Sequence, residues 1–171
     1  MINIYIDAEW YISQRIFLIG YAIEDTDTGD VTIHQVYHRN IYRNQIIKLF
    51  EQCTGFVFFW GPDIGMLEKR FRFPIRSKYH CVNLLRVTRL LIPGLPSYAL
   101  ASIEEHFGLY RKQVKYKKNI FSIYTDWRNP ELKKKVLAYN FEDVYYLILT
   151  TRIMFAKYQP TNAWLRDHTL A

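Results

Sequence analysis

Asp7 and Glu9 stand two residues apart at the end of a segment in which Ile2, Ile4 and Ile6 alternate with Asn3, Tyr5 and Asp7. On a β-strand, residues two apart share a face, so both carboxylates project together from a strand whose other face is isoleucine-rich. Two adjacent anions repel each other. A hard divalent cation between them removes that cost, because Mg²⁺ and Mn²⁺ prefer carboxylate oxygens. Two solvent-facing acids on an edge strand would give the same pattern, so the pair is not decisive by itself.

A third acid, Asp63, follows the apolar run Phe56-Val57-Phe58-Phe59-Trp60, and a fourth, Asp143, interrupts an apolar stretch near the C-terminus. Tyr139 precedes Asp143 by four residues, which puts the two side chains one turn apart on one face of a helix. A hydroxyl and a carboxylate so spaced can hold a water between them. Each residue also has a plain structural reading: Asp63 as a helix N-cap, alone or in addition, and Tyr139 as a core aromatic. Glu142 points elsewhere on its helix and reads as a solvated charge.

The elements that position these residues follow from periodicity. Residues 2–7 read as a first strand. Arg15 to Ile23 and Val31 to Tyr37, separated by the turn cluster Asp25 to Asp30 with Gly29, complete an antiparallel meander. Ile46, Ile47, Leu49 and Phe50 fall at helical spacing before Gly55 and the buried strand Phe56 to Trp60. Gly61-Pro62-Asp63 turns the chain into a helix through Met66, Leu67, Arg70 and Phe71. After the loop Pro93-Gly94-Leu95-Pro96, Ser97 is placed to cap a helix through Leu100, Ile103 and Phe107. A basic loop runs from Tyr110 to Asn119. A last helix starts around Asn129-Pro130 and extends to about Tyr158.

In order and spacing, these residues resemble the DEDD exonucleases of the ribonuclease-H-like superfamily. Asp7-Ala8-Glu9 is similar to that family's first motif, Asp63 to its second, and Tyr139 to Asp143 to its third in the tyrosine (DEDDy) form. The likeness is greatest to the YprB-like branch, through Tyr139-Asn140-Phe141-Glu142-Asp143-Val144 with Leu147, and through Leu95-Pro96-Ser97-Tyr98-Ala99-Leu100 with Glu104 and Gly108. It spans nearly the whole chain. Trp10, Tyr11 and Phe59 depart from the family pattern, and Asn83 stands where relatives commonly carry Asp, so Asn83 is not counted as a ligand.

The resemblance implies an α/β ribonuclease-H-like fold: a mixed five-stranded sheet, three antiparallel strands and then parallel ones, flanked by helices in a single domain over residues 1–171. It implies a 3′–5′ exonuclease that hydrolyses phosphodiester bonds of DNA or RNA with two divalent cations, Mg²⁺ or Mn²⁺. Asp7, Glu9, Asp63 and Asp143 would hold the metals, Asp7 bridging them, and the Tyr139 hydroxyl would orient the water. A structure-specific endonuclease would use the same cage. A catalytically inactive domain that binds nucleic acid or protein, and an interaction protein with no site, are the other readings.

A net charge of +7 and a pI near 9.4 favour a polyanionic partner. The basic loop offers cations interleaved with rings, Tyr110, Arg111, Lys112, Lys115, Tyr116, Lys117 and Lys118, as the first choice for contact with a single strand. Lys69, Arg70, Arg72, Arg76 and Lys78 form a second basic set. At 171 residues, half of them hydrophobic, the chain has the apolar surface for one core. No apolar run approaches the roughly 20 residues that span a bilayer, and the N-terminus lacks a signal-peptide pattern. An intracellular, cytoplasmic protein without membrane contact is expected. Cys53 and Cys81 read as reduced thiols, and His34, His38, His80, His106 and His168 are too scattered for a metal site.

Overall fold

A computed structural model of the protein describes residues 1–11, 13, 15–112, 116 and 121–168, with residue 39 described in its backbone alone. Strand β1 (Ile2–Trp10) pairs antiparallel with β2 (Ile16–Asp25), and β2 with β3 (Val31–Tyr37). Helix α1 (Arg43–Glu51) leads back to β4 (Phe56–Phe59), parallel to β1. Helix α2 (Asp63–Phe71) leads to β5 (His80–Asn83), parallel to β4. The sheet order is β3-β2-β1-β4-β5, the mixed five-stranded arrangement the sequence implies. The strand carrying Asp7 and Glu9 is therefore central, which removes the edge-strand reading of that pair.

Helix α3 (Leu84–Leu91), α4 (Leu100–His106), α5 (Phe121–Arg128), α6 (Lys133–Tyr158) and α7 (Asn162–Asp167) follow. Alternation along β1 sorts its residues between two layers. Ile4, Ile6 and Ala8 pack with Ile46, Leu49 and Phe50 of α1 and Ile64, Leu67 and Phe71 of α2. Tyr5 faces the other way, onto Val144, Leu147, Ile148 and Met154 of α6. All four residues of β4 are buried, as expected for a parallel strand covered on both faces. No helix among the described residues is long and apolar enough to cross a membrane.

Three local expectations are corrected. Helix α6 begins at Lys133 rather than Asn129-Pro130, because Asn129 turns the chain, its Oδ1 accepting from the Glu131 N–H at 3.0 Å. Ser97 does not cap α4: the N-cap is Ala99, and the Ser97 hydroxyl, two residues earlier, accepts from the Ala99 N–H at 3.3 Å. Helix α5 has no counterpart in the sequence reading, since Phe121-Ser122-Ile123-Tyr124-Thr125-Asp126-Trp127 carries no cap or stop signal.

Candidate metal centre

The β1 face that turns Tyr5 toward α6 also turns Asp7 and Glu9 there, and α6 brings Asp143 to meet them. One carboxylate oxygen from each of Asp7, Glu9 and Asp143 lies within 4.8 Å of the other two. The β1–β2 register shifts between Glu9 and Trp10, directly after the pair. Such a bulge ends regular pairing and re-aims the chain beside a site.

Asp63 opens α2 at the end of β4. Pro62 is the N-cap and no side chain caps the helix, so Asp63 is not the cap the sequence allowed. Its carboxylate instead turns toward β1 and accepts from the Ala8 N–H. Its Oδ2 is buried with no hydrogen-bond partner among the described residues. A buried carboxylate oxygen without a partner costs stability unless a cation or donor satisfies it.

Burial pushes the carboxyl of Asp7 up to about 6, against the opposing influence of Arg111 and of the Asn140 hydrogen bond. Burial also raises Glu9, reinforced by the charges of Asp7 and Asp143. It raises Asp63, reinforced by Asp7, Glu9 and Asp143. Asp143 is raised by burial and Asp7, with Arg111 opposing. Glu24 shows the contrast of a structural acid: burial raises it, yet hydrogen bonds from Arg152, Asn3 and Tyr5 bring it below the usual range. The four site carboxylates share too little positive charge, and an all-oxygen donor set of this kind fits hard divalent cations.

Asp7 is held in place by a chain of contacts. The Nδ2 of Asn140 donates to Asp7 Oδ2 at 2.7 Å, and Gln35 Nε2 donates to Asn140 Oδ1 at 2.9 Å and to the Leu137 carbonyl at 2.8 Å. Gly20 sits opposite Asp7 in the β1–β2 ladder. A Cβ there would run into Asn140 Oδ1 and would lie 2.8 Å from Val144 Cγ2, so the absent side chain makes room for Asn140 to reach across.

Tyr139 is half-buried, its ring edge-on to Tyr116 at 5.2 Å and facing the Arg111 guanidinium at 5.6 Å. Burial, followed by the charges of Asp143 and Glu9, raises its hydroxyl well above the ordinary tyrosine value. It stays protonated at neutral pH.

Of the basic loop's described residues, Arg111 and Tyr116 do not offer the surface contacts expected of them. The Arg111 side chain is only 2% exposed: its Nε donates to Glu104 Oε2 at 2.6 Å, a second nitrogen bonds Glu104 Oε1, and a third bonds Asp143 Oδ1. Its charge is drawn inward by two buried carboxylates rather than offered to solvent. Tyr116 is 2% exposed, and its hydroxyl donates to Asp126 Oδ2 at 2.7 Å, so its ring is no open stacking face. Tyr110 and Lys112 are exposed. Lys115, Lys117 and Lys118 lie outside the described residues. In the second basic set, Arg76 is engaged by Glu68, while Arg70 stands exposed on α2. Asn83 bridges strand ends, donating to the Gly61 carbonyl at 2.9 Å and accepting from the Leu85 N–H at 3.1 Å.

Residues 4–154, which form this sheet and bring the three carboxylates together, match a family model for the RNase H superfamily. The chain belongs to the RNase H superfamily. With that membership it carries a nuclease-type domain, and the matched span contains Asp7, Glu9, Asp63, Tyr139 and Asp143. No curated protein matches the chain. Asn140, Gln35, Gly20 and Glu104 acquired no role from sequence. Asn140 and Glu104 stand inside the motifs that carry the family likeness, which is the signal that would have singled them out.

Proposed function

We propose that this RNase H-superfamily protein is a metal-dependent nuclease of the DEDDy type, close to the YprB-like branch, acting as a single nuclease domain on DNA or RNA as a 3′–5′ exonuclease. The observation that carries the proposal is the convergence of Asp7, Glu9 and Asp143 within 4.8 Å beside a buried Asp63 oxygen that has no partner among the described residues.

Asp7, Glu9, Asp63 and Asp143 would hold two Mg²⁺ or Mn²⁺ ions, which would supply Lewis acidity for the attack of water and the departure of the leaving oxygen. The residues of the chain do the rest. Asn140 fixes one oxygen of Asp7 and so holds the carboxylate's orientation. Arg111 takes one oxygen of Asp143 and so restricts its rotation. The Tyr139 hydroxyl, protonated because burial and Asp143 raise it, donates a hydrogen bond that orients the nucleophilic water and does not serve as its base.

One observation favours a second reading, a nucleic-acid-binding domain without catalysis: the Arg111 guanidinium already supplies a positive charge to Asp143. The experiment that separates the two is cleavage of 3′- and 5′-labelled single strands of DNA and RNA in Mg²⁺ or Mn²⁺, beside EDTA. Stepwise mononucleotide loss from the 3′ end is expected. Internal fragments would replace the exonuclease with an endonuclease, and intact strands under every condition would leave the binding domain.

A further inference from the structure

Beyond Glu9 and its bulge the Tyr11 N–H donates to the Arg15 carbonyl at 3.0 Å. Three depressions meet at Arg15. One of about 840 Å³ is lined by Arg15, Arg70, His38 and Tyr42 among others. Another of about 700 Å³ is lined by Arg15, Tyr11, Tyr124 and Arg128. A narrower one of about 170 Å³ joins them, sharing Arg15, His38 and Arg70 with the first and Tyr11 and Arg15 with the second.

Among the described residues, no Asp or Glu lines any of the three. Arg15, Arg70 and Arg128 form no ion pair with a carboxylate among the described residues. Instead Arg128 stacks over the Tyr11 ring at 5.5 Å, with Tyr124 6.2 Å from the same ring. Tyr11 and Tyr139 pack on one cluster with Phe17, Tyr116 and Trp127, so one end of this surface adjoins the carboxylate centre. Guanidinium groups without acidic neighbours fit phosphates, and aromatic faces beside them fit unstacked bases.

We propose that this groove, with Arg15, Arg70 and Arg128 as phosphate contacts and Tyr124 beside them as a base-stacking face, is the track for a single-stranded nucleic acid leading to the carboxylates. Arg111 and Tyr116, by contrast, are committed to the interior. The inference deepens the nuclease reading by naming where its substrate lies, and its test is made without metal so that the two stand or fall separately.

The test is fluorescence anisotropy of a labelled 20-mer, one of DNA and one of RNA, titrated with the intact chain in EDTA. Arg15→Glu/Arg70→Glu is compared with Arg86→Glu/Arg89→Glu, which makes the same charge change at exposed positions on α3, beyond β5 at the opposite side of the sheet. The groove variant should bind at least about tenfold more weakly than the α3 variant, and its dependence of log K on log salt should shallow by about 0.7 for each phosphate that is no longer neutralised. Arg15→Gln/Arg70→Gln, milder at the same exposed sites, should lose affinity in the same direction and guards against misfolding of the charge-reversed form. Tighter binding of one 20-mer assigns the sugar. Equal losses in the groove and α3 variants, or an intact chain that binds neither 20-mer, would overturn the groove. Selective loss of binding in a protein that cuts nothing in Mn²⁺ would keep the groove and remove only the catalytic reading.

Discussion

Asn140 reaches across from α6 to hold Asp7, Nδ2 to Oδ2 at 2.7 Å, through a space that exists because the residue facing Asp7 on β2 is Gly20. The pairing couples helix placement to the central carboxylate. Asn140→Ala should therefore weaken Mn²⁺ binding by about 10- to 100-fold, the usual cost of losing a residue that orients a ligand, in an isothermal titration. Gly20→Ala should destabilise the fold by about 1–3 kcal/mol through overpacking and should impair metal binding as well, because Asn140 must move. Unchanged metal affinity in Asn140→Ala would reduce this interaction to packing.

The Glu104–Arg111–Asp143 network is a buried ion triad, with the Glu104 side chain fully enclosed. Removing one partner leaves an uncompensated buried charge, so Arg111→Met should cost about 3–5 kcal/mol in chemical denaturation. Glu104→Gln/Arg111→Met should recover much of that loss, since the charge left stranded by the single change is gone. Additive losses in the double variant would show that Glu104 and Arg111 do not depend on each other.

The raised carboxyls set the pH behaviour of the metal-free protein. The Asp7 carboxyl is held at about 6 in the fold against an ordinary value of 3.8. Between these values the folded state binds more protons than the unfolded state, so stability falls as pH rises through that window. Glu9, Asp63 and Asp143 are raised in the same direction. In EDTA the melting temperature should be higher near pH 5 than near pH 7.5, and Mn²⁺ should raise it more at pH 7.5, where the carboxylates are ionised. A metal-free melting temperature that rises from pH 5 to 7.5 would contradict this.

Replacing a site acid by its amide separates metal binding from folding. Asp63→Asn should leave the metal-free fold as stable or more stable, because it removes a repelling charge, while the thermal shift caused by Mn²⁺ shrinks. Asp143→Asn should differ: it leaves Arg111 with one carboxylate in place of two and so gains less or loses stability. Equal responses of the two variants in a metal-free melt would argue that Arg111 contributes nothing at Asp143.

Tyr139→Phe removes the hydroxyl but keeps the ring against Tyr116 and Arg111. Cleavage should slow by about 100-fold, the lower range for a positioned proton-handling group, with Mn²⁺ affinity unchanged. An unaltered rate would make Tyr139 a packing residue.

Periodicity in the sequence carried strands β1 to β4 and helices α1, α2, α4 and α6, because alternation in β1 and the apolar run of β4 are direct records of which faces are buried; β5 was expected only through the family resemblance, and α3, α5 and α7 were not read. The carboxylates were legible from spacing: Asp7 and Glu9 two apart on a strand, and Asp143 one helical turn after Tyr139 on one face. The surroundings of the site were not legible. Arg111 looks like a surface cation until α4 places Glu104 beside it, and the opening left by Gly20 depends on a pairing between residues 120 positions apart in the chain. Basic residues are read as surface from composition alone, so only tertiary contact distinguishes Arg111, turned inward, from Arg15 and Arg70, turned to the groove.

The most direct test of the central claim is the rate at which the intact chain and Asp7→Asn shorten a labelled single strand in Mn²⁺, measured side by side with both proteins shown to be folded. The account predicts metal-dependent cleavage by the intact chain and none detectable with Asp7→Asn. Cleavage by Asp7→Asn at the intact rate would contradict it, because the hydrolysis would then belong to residues other than this carboxylate centre.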